Sequence, residues 1–501
     1  MAPMSWLFDS VLGLSLLAFS LGAIAVAVLA QMTALHSLKA AAWSAILPGA
    51  GQWYAGAKSR AVQFFVIDLS LVVLALLAAQ DQTAILKAWV RPRDLVLMMI
   101  GSLAVLAYRI WSAYDAHLLV TGGQDRENRP GLRIGSMVAI SAVLLAPHVV
   151  FGYYDLTQYN LITTVFSDDE PMAAPTPTTT TSGIGEPAVT GAVTPTPTTL
   201  DTSGPAIWDG LERLNILLLG ADDSETRTGI RTDTMIVISI DPADGDTAMI
   251  SIPRNYARAP LPAGHGLWDC ECFPQLLNDL YYSGIQNPDA FPGPGTAAEN
   301  AIKGGISEIL GIEIHYYAMV NLAGFVGVVD ALGGVEIDVP NEIVEPSYGG
   351  PGLGGLVVIE EGVQVMDGYT ALAYSRIRSQ STDYARMNRQ RCVVKAVLDQ
   401  SDPIELIAAY PGIAAVLRSS MQTDIPQSRL PDFIDLLPKI NTSDVVALSI
   451  TPPEYLAGFT AQGQNIYDPQ LIREHVALIL DGRPEEVSTG LGSGSLVSAC
   501  N

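Results

Sequence analysis

Apolar residues follow three different rhythms along the 501-residue chain. Up to about residue 155 they form unbroken blocks, at 11–30, 61–79, 95–110 with an extension toward 120, and 135–154. Each block approaches the roughly 20 residues a helix needs to cross a bilayer. This predicts a membrane domain over 1–155 with about four transmembrane helices. A shorter stretch, 41–55, is broken by Pro48, Gly49 and Gly51 and reads as a re-entrant or interfacial segment. From 167 to 207 large apolar residues nearly vanish, and Thr, Pro, Ala and Gly take over in runs such as PTPTTTT. Such a composition cannot build a core and predicts a disordered linker. In a polyproline-like form it would reach on the order of 100 Å at about 3.1 Å per residue, enough to lift a domain off a lipid surface.

Beyond 208 the apolar runs become short and alternate with turn residues, the pattern of a mixed α/β domain extending to 485, with a tail at 486–501. Runs at 216–219, 235–240 and 249–252 read as strands, the first two separated by a polar loop and the last two by a turn at Asp241-Pro242. Helical spacing covers 296–310, a strand is expected over 315–320, a short helix over 322–331 stopped by Gly333-Gly334, and another strand over 335–339. Phe325, Val328, Val329 and Leu332 could pack an ordinary core or line an apolar tunnel. A helix capped by Ser381 or Thr382 is expected to run to about residue 400.

Charge refines the layout. Lys39, Lys58 and Arg60 fall between the first two predicted spans, and Arg126, Arg129 and Arg133 between the last two, which puts both termini outside the cell. Lys87, Arg91 and Arg93 lie in the intervening loop and oppose that orientation, whereas the acidic stretch after the last span favours it. The first ten residues carry no Lys or Arg, which speaks against a basic-headed cleavable signal peptide. A formal charge of −24 excludes general nucleic-acid binding. Recognition of an anionic ligand would have to come from local arginines rather than the global field. The segment from Gly51 to Ser59 approaches a nucleotide-binding loop, but Ala57 separates Gly56 from Lys58 and the flanks are membrane-like.

Candidate chemistry gathers at strand ends. Asp222 and Asp223 follow the first strand, Arg227 and Arg231 lie in or at the edge of the next loop, Asp233 opens the second strand, and Arg254 closes the third. Paired carboxylates are hard oxygen ligands suited to Mg²⁺ or Mn²⁺, and arginine's planar fork matches phosphate oxygens. Surface salt bridging is the plain alternative for any one of them. A second cluster holds Arg376, Arg378, Asp383, Arg386, Arg389, Gln390 and Arg391. On a helix, Arg386, Arg389 and Val393 would share a face by i, i+3, i+7 spacing, with Arg391 off it and Met387, Val394 and Leu398 in the core. Cys270, Cys272, Cys392 and Cys500 allow up to two disulfides in three pairings, one of which would tie Cys392 to the tail. His265 with Cys270, Glu271 and Cys272 matches no standard zinc spacing.

Several separated motifs occur in a fixed order: NILLLGADDS, RTDTMIVISID with SIPR, QLLNDLYYSG, GFVGVVDALGGVEIDVP, and DGYTALAYSRIR with DYARMNRQR. In this the chain resembles the LytR-CpsA-Psr family of cell-wall glycopolymer transferases, over about 215–399 and more weakly to about 479. The resemblance implies an α/β/α domain with a central mixed sheet, an apolar lipid tunnel, and a pyrophosphate held among arginines and Mg²⁺ or Mn²⁺. It implies a membrane-anchored, extracytoplasmic phosphotransferase that moves glycopolymer from a polyprenyl-pyrophosphate carrier onto peptidoglycan. Asp222 and Asp233 match the metal-associated acids; with Arg254, Arg376 and Arg378 they form the implied catalytic set. Arg227, Arg231, Asp383, Arg386, Arg389 and Gln390 would bind substrate. Many relatives carry an acid directly after Pro-Arg, where this chain has Asn255, so a carboxylate role there does not carry over. Hydrolysis of the lipid pyrophosphate at the same site, or non-catalytic wall binding or sensing, are the alternatives.

Overall fold

The computed structural model describes residues 36–121, 130–167, 208, 211–222, 229–378, 383–399, 403–441, 444–487 and 493–495. The first predicted span, the Ser/Thr/Pro-rich linker at 168–207, and Asp223, Arg227 and Cys500 lie outside the described residues. Among those described, three helices are long and apolar enough to cross a membrane, with qualifying segments Lys58–Ala78, Pro92–Thr121 and Met137–Val165. The N-terminal helices comprise α1 (His36–Ile46), α2 (Lys58–Ala79), α3 (Pro92–Thr121) and α4 (Pro130–Val165), with a short elbow helix Gln82–Trp89 between α2 and α3.

The broken segment at 41–55 forms the end of α1 and a one-turn helix Ala50–Tyr54, separated at Leu47-Pro48-Gly49. Its alanine face, with Ala41, Ala42 and Ala45, is packed with Leu106 and Ala113 of α3 and Ile140 and Leu144 of α4. A side chain on Gly51 would sit 2.0 Å from the carbonyl oxygen of Ala40, so this glycine is there for close backbone approach. Gln52, fully buried, bonds the hydroxyl of Ser44 (2.7 Å), the Ser112 carbonyl (2.9 Å) and Asp115 (3.2 Å), while Arg60 pairs with Asp115 at 2.9 Å. The residues resembling a nucleotide loop are a polar clasp between helices.

The second part is a mixed α/β domain. Its seven-stranded sheet has the order β5-β4-β1-β2-β3-β6-β7, where β1 is Leu214–Asp222, β2 Arg231–Ile240, β3 Thr247–Ile252, β4 Tyr316–Asn321, β5 Met421–Thr423, β6 Val446–Ser449 and β7 Ser493–Ser495. β1 and β2 are antiparallel, as are β2 and β3, whereas β4 runs parallel to β1 and β6 parallel to β3. Odd-numbered β1 residues Leu217, Leu219 and Ala221 face the main core, built with α5 (Ala297–Leu310) and α10 (Pro469–Leu480). α5 starts at a Thr296/Glu299 capping box and ends at Gly311 in the left-handed conformation, which is why its expected bounds held to a residue.

The opposite sheet face is covered by α6 (Leu322–Ala331), α7 (Gly368–Arg376) and α8 (Asp383–Asp399), with α9 (Pro403–Ser420) behind α6. Two small antiparallel ribbons, Val335–Val339 with Gly362–Met366 and Ile343–Tyr348 with Gly355–Ile359, complete a second core around Val335, Ile337, Ile359 and Tyr374. One disulfide joins Cys270 to Cys272, which leaves no thiolate for a metal there. Cys392 is also disulfide-bonded.

Phe166, at the end of α4, packs against a cluster containing Trp208, Leu214, Ile425 and Leu436. The two flanks of the linker therefore meet at one place on the domain.

A Cβ on Gly368, the first residue of α7, would fall 2.4 Å from the carbonyl oxygen of Val326 in α6. Both partners are backbone-fixed, so Gly368→Ala should cost about 1–3 kcal/mol. Thermal unfolding of the purified protein should show a lowered midpoint; an unchanged one would mean that α6 and α7 are not this close.

Candidate active site

Three strand ends and one helix terminus converge on a cavity of about 550 Å³. β1 delivers Asp222 on the same face as Leu218 and Gly220, all three on the cavity wall. β2 delivers Asp233 through an irregularity: Gly220 pairs with Thr234 but Ala221 with Thr232, so Asp233 has no opposite residue. Strict alternation would set Asp233 and Thr234 on opposite faces, yet both line the cavity, so the bulge re-aims the carboxylate. Arg254 follows β3 by two residues and reaches sideways to Asp233, Nη1 to Oδ1 at 2.8 Å. Asn278 braces the same carboxylate, Nδ2 donating to Asp233 Oδ1 at 2.9 Å, while its backbone N–H donates to the Arg254 carbonyl at 3.2 Å.

Across the cavity, Arg376 ends α7 and donates from Nη2 to Asp222 Oδ2 at 3.0 Å. Its other terminal nitrogen is buried and makes no hydrogen bond among the described residues, and neither does the buried hydroxyl of Tyr348. These are donors held ready inside the site. Arg378 lies exposed at the rim, and Arg386 projects from α8, buried and close enough to Asp233 to lower its pKa. Among the described residues the lining holds four guanidinium groups, from Arg254, Arg376, Arg378 and Arg386, against three carboxylates, from Asp222, Asp233 and Glu345. In a chain of charge −24 that is a local reversal of sign. The wall also carries apolar side chains, from Leu218, Ile236, Leu322, Phe325, Val393 and Val394.

The helix α8 presents Arg386, Gln390 and Val393 to the cavity, an i, i+4, i+7 stripe. This corrects the expected face, because Arg389 turns instead to α7. Arg389 donates from Nε to the Tyr374 carbonyl at 2.7 Å, from Nη2 to the Ile377 carbonyl, and lies over the Tyr374 ring. A cation on carbonyls at a helix C-terminus is favourable and here fixes the segment that carries Arg376 and Arg378. Gln390 adds a bond to the Ser375 carbonyl at 3.3 Å. Arg231 is placed at the exposed start of β2, paired with Asp279 at 2.9 Å and not on the cavity wall. Asp383 opens α8, but its side chain lies outside the described residues. Arg391 is buried away from the cavity and bonded to Asn388. Phe325 lines the cavity, whereas Val329 belongs to the second core.

Several contributors escaped sequence reasoning. Asn278 stood in a quoted motif without a role. Glu345, Ser347 and Tyr348 come from a ribbon with little apolar periodicity, so nothing marked them. Asn255 accepts a hydrogen bond from Tyr467 at 3.4 Å, and Tyr467 is within 3.0 Å of the Tyr384 hydroxyl on α8. The position next to Arg254 therefore ties the first turn of α8 to the C-terminal part of the domain.

Residues 190–471 match the model of the LytR_cpsA_psr family, more than half of the chain. The chain belongs to the LytR-CpsA-Psr family. Among curated LytR-CpsA-Psr relatives, the polyisoprenyl-teichoic acid–peptidoglycan teichoic acid transferase TagU of Oceanobacillus iheyensis is 32% identical over 222 residues, 44% of this chain and 61% of the relative. TagT of Bacillus subtilis, of the same description, is 27% identical over 252 residues, 49% of this chain and 70% of the relative. The match spans about three fifths of the first two relatives' length. Among solved structures, B. subtilis TagV covers 55% of this chain and 98% of its own at 24% identity with a TM-score of 0.40.

Burial raises the Asp233 carboxyl pKa, but Arg254 beside it, helped by Asn278 and Arg386, lowers it further, so that it ends below its ordinary value. A depressed folded pKa contributes stability above the unfolded carboxylate value, and that contribution is lost as pH falls through the folded one. Asp233→Asn should therefore flatten the acid limb of stability. Thermal unfolding at about pH 7 and about pH 3 should show a smaller drop in the variant than in the parent; equal drops would mean the Arg254 pair does not hold in solution.

Proposed function

We propose that this domain transfers a glycopolymer from a polyprenyl-pyrophosphate carrier to a peptidoglycan hydroxyl. The observation that carries the proposal is that one cavity is lined both by four guanidinium groups and by apolar side chains, a combination that suits a diphosphate attached to an isoprenoid. The activity for which the relatives are named, teichoic acid transfer from a polyisoprenyl carrier to peptidoglycan, supports the same class of reaction. We read the apolar wall around Leu322, Phe325, Val393 and Val394 as the seat of the lipid and the domain as extracytoplasmic.

Phosphoryl transfer requires alignment and charge neutralisation more than covalent help from the protein. The acceptor oxygen attacks the phosphorus that bears the glycan, the bridging P–O bond breaks, and its electron pair leaves with polyprenyl phosphate. Arg376, with a buried nitrogen that makes no hydrogen bond among the described residues, and Arg254 and Arg386 would take up the negative charge that develops. The Tyr348 hydroxyl would donate to a phosphate oxygen.

Asp222 and Asp233 line one cavity, each bonded to its arginine through one named oxygen. Two carboxylates completed by substrate phosphates and water are a donor set that Mg²⁺ accepts, and Mn²⁺ would fit it as well. Such an ion would add further neutralisation of the leaving phosphate. The hydroxyl proton is assigned to Glu345, because Asp222 and Asp233 each hold an arginine through a carboxylate oxygen, whereas the bond of Glu345 among the described residues is from the Ser347 amide.

With a polyprenyl-pyrophosphate glycan donor and peptidoglycan, the parent should form acceptor-linked polymer, and Arg376→Ala should lower turnover about 10²–10³-fold. Polymer released only as soluble phosphate would favour hydrolysis, and tight donor binding without turnover would favour a wall-binding protein. Phe325→Asp should raise KM for long-chain donors while sparing water-soluble short-chain ones. An equal effect on both would argue against lipid contact at that wall.

A further inference from the structure

The domain does not stand clear of the N-terminal helices. α9 lies between α6, whose Leu322 and Phe325 line the cavity, and α4, the last helix before the linker. Three α9 residues at four-residue spacing close on α6: Gly412 near Ala331, Val416 against Gly327 and Ser420 against Gly324. Gly327 and Gly324 leave no room for a Cβ, which would fall 2.7 Å and 2.5 Å from those side chains. Tyr410, about 200° round the helix from Gly412, faces the other way. Its ring stands 6.3 Å from Tyr154 of α4, nearly parallel, and 5.7 Å from Trp89 of the elbow, and its hydroxyl donates to the Gln158 side chain of α4. Gln158 in turn donates to the Trp89 carbonyl at 3.2 Å, so elbow, α4 and α9 are tied at one point.

Two further contacts flank that point. Lys87 of the elbow pairs with Asp435 of the domain at 2.7 Å. At the end of α4, the Ser167 carbonyl accepts from the Gln427 amide at 2.9 Å and the Phe166 carbonyl from its side chain at 3.0 Å. Aromatic stacking, a charge pair and main-chain bonds drawn from three separate segments make a built interface rather than a grazing contact. It also sets orientation. The elbow and the end of α4 touch the domain together, so both lie at the same end of the bundle, and α9 backs the apolar wall of the cavity.

We propose that the N-terminal helices are the seat of the domain: they hold it through α9 with its apolar wall toward the membrane, in the state that takes up a lipid-borne pyrophosphate. The last clause rests on the function proposed above; the docking does not. A docked state makes capture of a membrane-bound donor a local event, because only the diphosphate need leave the surface.

In proteoliposomes carrying the full chain, the pairs Gln158→Cys with Tyr410→Cys, and Lys87→Cys with Asp435→Cys, should each cross-link under mild oxidation. Formation of either bond would establish the contact, and failure of both would overturn it. The cross-linked protein should bind vesicle-embedded polyprenyl pyrophosphate within about twofold of the reduced form. Binding lost on cross-linking and regained on reduction would overturn the claim that the seated state is the receptive one. Double-cysteine variants that cross-link, when neither they nor the parent bind this lipid, would sink the donor assignment while leaving the seat intact.

Discussion

Two aspartates pulled out of bulk water at the end of a hydrophobic sheet impose the central constraint on this domain. A buried carboxylate is costly to keep ionised without a counter-charge, and each of these is met by an arginine from a different element: Asp222 by Arg376 of α7, Asp233 by Arg254 beyond β3. The pairs bind the central strands to the layer above and to the neighbouring strand. They also keep the arginines pointed inward, where long side chains would otherwise drift toward solvent. Structure and the proposed chemistry thus share the same bonds, and on that proposal a diphosphate would meet a field that is already assembled.

Support for those arginines comes from ordinary helix physics. Arg389 and Gln390 of α8 take the last carbonyls of α7, and Asp367 caps its first turn, so both ends of this nine-residue helix are fixed by side chains. The bulge at Asp233 and the brace from Asn278 do the corresponding work on the sheet. Little of this precision resides in the residues that face the cavity.

That division explains what could be read from the residues alone. Runs of apolar residues with clear punctuation announced β1 to β4, α5 and α6, and the concentration of arginine near 376–391 announced a cationic site. Register could not be read. A single unpaired residue reverses the facing of everything before it, so Asp233 was legible as an acid but not as one turned inward. Arg389 went to α7 rather than the cavity because positions i+3 and i+4 lie about 100° apart round a helix, on either side of position i, and only the neighbour decides which is used. β6, in the interior of the sheet, is four residues long, too short to show a period, and the Ile343–Tyr348 ribbon carries Pro346 and alternates poorly. In the N-terminal part the apolar blocks were plain, yet the polar clasp around Gln52 was hidden behind a deceptive glycine pattern.

The meeting of Phe166 and Trp208 at one hydrophobic cluster bears on the Thr/Pro-rich segment between them. A chain whose ends start and finish together is a leash, not a ruler. The entropy of closing a loop grows by only about 0.6 kcal/mol for each doubling of its length, so the number of residues between these two anchors is weakly constrained by stability. Its composition is then free to answer to other demands, while the geometry of the whole is set elsewhere.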